Sequence, residues 1–134
     1  MTTEDALRVI YGARGYVNTY ADTPDDREWW IGPNGEIIGY DLPDPIWQPE
    51  EGDGDGGLAE FARLVVWALT QFLHVAIFQE WDKYSCEIAH DVVVGEYVGA
   101  DTPQEAFIRA LAAAIEVRDN VRGLVTEIEA RGKE

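Results

Sequence analysis

The hydrophobic positions of this chain switch between helical and strand spacing, and each switch marks an element boundary. Residues 3–12, TEDALRVIYG, carry acids in a first turn and end on Gly12, which predicts a short helix with Thr3 as its N-cap. In EWWIGPNGEIIGYDL two β-rich runs flank Pro33-Asn34-Gly35, where proline presets φ and glycine accepts φ > 0, so a hairpin is predicted. Phe61, Leu64, Val65, Ala68, Leu69 and Phe72 follow i, i+3, i+4, i+7 spacing and predict a helix from Leu58 to Leu73, apolar on most sides. The period then shortens to two. VAIFQEW, YSCEIAHD and VVVGEYVGA, broken at Asp82-Lys83 and at Asp91, read as three short antiparallel strands in a meander.

The tetrapeptide ADTP stands at residues 21–24 and again at 100–103. At the second copy Thr102 is an N-cap, Pro103 takes the first helical position where its missing N–H costs nothing, and Glu105 completes a capping box before an alanine-rich run. A helix is predicted from Pro103, with no signal saying whether it passes Asn120. At the first copy Gly32 and Pro33 follow within nine residues of Pro24, so any helix there ends after a turn or two. The repeat is a helix-start signal used twice, not an internal duplication. The pattern as a whole predicts an α+β fold: a small antiparallel sheet, built from the meander and an N-terminal hairpin, packed against two main helices.

Residues 43–57, PDPIWQPEEGDGDGG, combine proline, glycine and acids and predict an extended, mobile connector inside one domain of 134 residues. The single cysteine, Cys86, leaves no disulfide framework or thiolate cluster and favours a reducing, cytoplasmic setting. The start MTTEDALRVI does not read as a signal peptide, and the most apolar run, residues 64–78, contains Thr70, Gln71 and His74.

Charge narrows the partners. The net charge is −16, with 14 acids against 3 bases in residues 1–60 (−11) and 12 against 7 in residues 61–134 (−5). Such a field repels nucleic acid and anionic lipid and attracts a basic partner, although acidity also serves solubility alone.

Catalytic signals are missing. No GxSxG occurs, no nucleophile stands near a recognisable base, and His74 and His90 lie in no ligand pattern, so no enzyme, cofactor or metal is expected. Glu51, Asp53 and Asp55 fall short of a calcium loop, because the twelfth position counted from Glu51 is Ala62, and they read instead as an acidic interaction surface. Trp29 and Trp30 cannot both face inward on an alternating strand, so one of them is a candidate for the same surface. Arg109 has two readings. It pairs with Glu105 one turn earlier, or it stands among small alanines as a phosphate contact.

The order of PNGEIIGYDLPDPI, an acidic spacer, an amphipathic helix and a meander ending in ADTPQEAFIRALAAA resembles the phage ABA-sandwich domain family over about residues 30–117. Ile108-Arg109-Ala110-Leu111 stands at the family's helix motif, with Phe107-Ile108 in place of the usual Ile-Cys. The resemblance implies a small phage anti-defence protein acting in the cytoplasm of an infected bacterium. It further implies a sponge that oligomerises and sequesters a cyclic-nucleotide or ADP-ribose-like immune signal without cleaving it. Arg109 would then contact phosphate, and Tyr84 or Tyr97 would stack on the base. The alternative, which explains −16 better, is an acidic decoy that fills the basic nucleic-acid groove of a CRISPR or restriction effector.

Overall fold

The computed structural model describes residues 2–19, 29–39, 42, 43, 45 and 57–132. Over these the chain is α+β, with helices α1 (Thr3–Ala13), α2 (Leu58–Gln71) and α3 (Pro103–Gly132). Two antiparallel three-stranded sheets accompany them: β1 (Val17–Thr19), β2 (Trp29–Ile31) and β3 (Ile37–Gly39) form one, and β4 (His74–Glu80), β5 (Lys83–Ala89) and β6 (Val93–Ala100) form the other. The predicted hairpin is β2–β3, turned through Gly32–Glu36 with Gly35 at φ 84°. It forms its own sheet with β1, a strand of three residues too short to show an alternating pattern.

Local chemistry sets the helix starts. Thr2, not Thr3, caps α1: its hydroxyl accepts from the Asp5 backbone N–H at 3.1 Å while the Asp5 carboxylate accepts from the Thr2 N–H at 3.2 Å. Asp5 stands three residues after Thr2, the spacing a reciprocal box requires, and these bonds hold its carboxyl below the usual carboxylate range. Thr102 caps α3 as expected, accepting from the Glu105 N–H at 3.1 Å. Helix α2 leaves Gly57 at φ 85° and ends at Gln71, because Phe72 turns extended, φ −134°, and is buried as the chain enters β4. The predicted end at Leu73 is therefore two residues long.

Helix α3 organises the core. It lies across β5 and β6 and packs on α1 along Ala106, Phe107, Ile108, Ala110, Leu111, Ala114 and Ile115, all buried. Gly95 permits the approach: an added Cβ there would run into the Ala110 carbonyl oxygen and stand 2.7 Å from Ala114 Cβ. Phe107 meets Phe61 of α2 edge-on at 5.4 Å, so one buried cluster joins the three helices to β5 and β6. A polar knot closes α1 on α2. Tyr11 Oη donates to Glu60 Oε1 at 2.7 Å, and Arg14 and Arg63 reach the same carboxylate at 3.3 and 3.2 Å.

Three predicted features lie wholly or mainly outside the described residues: the first ADTP copy at 21–24, the acidic residues Glu51, Asp53 and Asp55, and most of the connector. Of the connector, Pro43, Pro45 and Gly57 are described, and the Pro45 side chain is fully buried.

Candidate functional site

Alternation along the meander gives the larger sheet two unlike faces. Tyr84, Cys86 and Ile88 of β5 and Tyr97 of β6 join the core under α3, and Cys86 pairs in register with Tyr97. Burial pushes the Cys86 thiol up to about 12, which removes it as a nucleophile at neutral pH. No helix among the described residues covers the other face. There Phe78 is the register partner of Ser85, and Glu87 stands opposite Glu96. Phe78, Glu80, Ser85, Glu87, Glu96 and Val98 line a shallow concavity of about 250 Å³ on it.

Two features of this face carry a local cost. Glu87 and Glu96 are like charges directly opposite each other, an arrangement that opposes strand pairing. At its end, Trp81 and Asp82 form the two-residue β4–β5 turn, and Trp81 takes φ 59°, the only positive φ among the described non-glycine residues. Glycine is the usual residue at such a first turn position, since a Cβ there crowds the backbone. The Trp81 side chain is 96% exposed. An indole held in strained backbone and left in water has no packing role, and that combination marks binding surfaces. Lys83, the cation beside the tip, is engaged by Asp101 across the sheet, which raises its pKa and lowers that of Asp101.

Spacing alone does not show this site, because it ends a strand at EW and places the break at Asp82-Lys83. The signal available was the two-residue gap between alternating runs, which a Trp81-Asp82 turn satisfies and which returns Lys83 to β5.

The structure brings Arg109 and Tyr97 together, with the guanidinium 4.9 Å from the ring centroid. The Arg109 side chain is 23% exposed; its Nε lies 3.3 Å from Glu105 Oε1 and its Nη2 donates to Thr3 Oγ1 at 3.2 Å. The expected Glu105 pair exists, but it is half-buried and tied to α1. Tyr84 is half-buried against the core. On β2, Trp30 is buried with Arg8 5.7 Å above its ring, while Trp29 is half-buried and its Nε1 is enclosed without a hydrogen bond among the described residues.

No helix among the described residues is long and apolar enough to cross a membrane, and those residues hold no group of three or more His, Cys, Asp or Glu arranged for a metal ion. Compared with family models, curated proteins and solved structures, the chain matches none.

Proposed function

We propose that this protein is a non-enzymatic binding protein that captures a basic protein partner on the outer face of the β4–β5–β6 sheet, with Trp81 as its aromatic anchor. The observation that carries this reading is Trp81, 96% exposed at φ 59° on the tip beside a carboxylate-lined concavity. An arginine or lysine entering between Glu87 and Glu96 relieves their repulsion. Phe78 and Val98 cover the apolar stem of such a side chain, and Glu80 extends the acidic rim. The net charge of −16 speeds encounter with a cationic surface. The partner of that chemistry is the cationic groove of a nucleic-acid-binding effector, in which the carboxylates stand in for phosphates. A phage anti-defence role is the biological setting we propose for such a decoy.

A second reading keeps the nucleotide sponge, and the Arg109–Tyr97 pair is the observation in its favour. A phosphate would have to take the guanidinium from Thr3 and Glu105, and the base would have to displace it from the Tyr97 ring.

Calorimetric titration against a purified basic nucleic-acid effector, and against a panel of cyclic nucleotides, separates the two. Trp81→Gly should weaken effector binding about 30-fold or more, the loss of a hot-spot aromatic, while leaving stability unchanged or raised by up to about 1 kcal/mol as the turn is relieved. Arg109→Ala should leave effector binding intact. Nucleotide binding abolished by Arg109→Ala, with no effector binding, would instead establish the sponge.

A further inference from the structure

Helix α3 outruns the body it packs on. Among the described residues its last side-chain contacts with other elements are made by Arg118, which donates to Gln71 Oε1 at 2.8 Å and lies 5.8 Å from the Phe72 ring, and residues 119–132 are all exposed. At 1.5 Å per residue this overhang is about 21 Å long. It is not polar all round. Val117, Val121, Leu124 and Ile128 are exposed at steps of four, three and four, the seam spacing of a coiled coil, with Leu124 58% and Ile128 65% exposed. At 100° per residue the four fall within about 60° of arc, with Val125 beside them.

Ala110 lies within the same arc and Ala114 about 20° beyond its edge; these two meet Gly95 of β6, so the stripe prolongs the face of α3 that the sheet covers. The exposed Leu73 and Val92, 73% and 70%, stand at the sheet end next to this point: Leu73 follows Phe72, and His90, two residues before Val92, has its ring 5.1 Å from that of Phe72. Leu73 and Val92 thus form an apolar step beside Phe72, where Arg118 of α3 lies. A short helix without tertiary packing is marginal in water, so an overhang of this length with one apolar stripe calls for a partner.

We propose that the overhang pairs with the same segment of a second copy of this chain, antiparallel, in a two-fold symmetric dimer. Charge supports a second copy as the occupant. Residues 117–132 hold Arg118, Arg122 and Arg131 against Asp119, Glu127 and Glu129, a net charge of zero in a chain of −16, so this is a stretch where two copies meet without net repulsion. The direction follows from the body. Because the sheet stands on the stripe side of α3, parallel pairing would drive the two bodies into the same space, whereas antiparallel pairing sets them at opposite ends. Each helix tip then reaches the Leu73 and Val92 step of the other copy. The symmetric overlap sets Val117 opposite Ile128 of the second copy and Val121 opposite its Leu124, an interface in which the same patch serves both subunits. The inference is independent of the partner assigned to the outer sheet face, since it uses the other end of the molecule.

Sedimentation equilibrium of the full chain from about 1 to 200 µM tests it. The mass should rise toward twice the 15.0 kDa of the chain. Leu124→Glu and Ile128→Glu, on exposed positions that leave the body intact by circular dichroism, should each weaken the dimer at least tenfold. Oxidation of a mixture of Val117→Cys and Ile128→Cys chains should give a cross-linked pair, undisturbed by the buried Cys86. A monomer at every concentration, including one whose stripe is covered by its own residues 44–56, overturns the proposal. So does rapid cross-linking of Ile128→Cys alone, which requires parallel helices.

Discussion

Tyr11 is the residue on which the α1–α2 contact turns. It is fully buried and its hydroxyl donates to a Glu60 carboxylate that also receives Arg14 and Arg63. Tyr11→Phe leaves a half-buried carboxylate oxygen short of a donor and should lower stability by about 1.5–3 kcal/mol, read from denaturant melts. A pH effect accompanies it. Burial first, then the bond to Glu60, pushes the Tyr11 pKa far above its ordinary value, so the unfolded chain releases this proton at a pH where the folded chain still holds it. The stabilising contribution is complete below about pH 10, the unfolded value, and falls as pH rises beyond it; the fall should be shallower in Tyr11→Phe. Equal slopes for the two proteins would show that Tyr11 does not carry the effect. Arg109 marks how far single residues were legible. Glu105 lies one helical turn away and spacing finds it, but Thr3, separated by 106 residues, and the Tyr97 ring are tertiary partners that no local pattern contains.

Elements were legible where periodicity was long or caps were explicit. The meander, α2 and the start of α3 follow from alternating runs, an apolar stripe and the Thr102–Pro103 signal, whereas β1 has three residues and no period to read. The division into two sheets was not legible, because strand partners are chosen by packing rather than by the strands' own composition. The approach of α3 to β6 was hidden as well, although Gly95 sits within a β-branched run and a glycine there signals close passage of another backbone. Gly95→Ala should force α3 away from the sheet and cost about 1–3 kcal/mol, measured by thermal unfolding. A melting temperature equal to that of the parent would mean that the helix rides higher than the close approach to Ala110 and Ala114 indicates.

For the molecule as a whole, function divides between two ends. Helix α3 shields one face of the larger sheet and continues past it as an apolar stripe. The opposite face is covered by no described helix and exposes Phe78 and Val98 among Glu80, Glu87 and Glu96, with Trp81 at its tip. Net charge was legible from composition, and it pointed to the class of partner without pointing to a surface. The Glu87–Glu96 opposition needs the β5–β6 register, and the Trp81 strain needs the turn, so neither appears until the strands are paired. The most direct measurement is to follow the backbone amide resonances of the chain as a purified basic nucleic-acid effector is titrated in. The account predicts that shifts and line broadening concentrate on residues 76–87 and 94–98, with the Trp81 indole N–H among the most affected, and that raising the salt concentration reverses them. Perturbations centred on Arg109 and α1, or confined to the acidic residues 44–56 with the Trp81 indole unmoved, would contradict it.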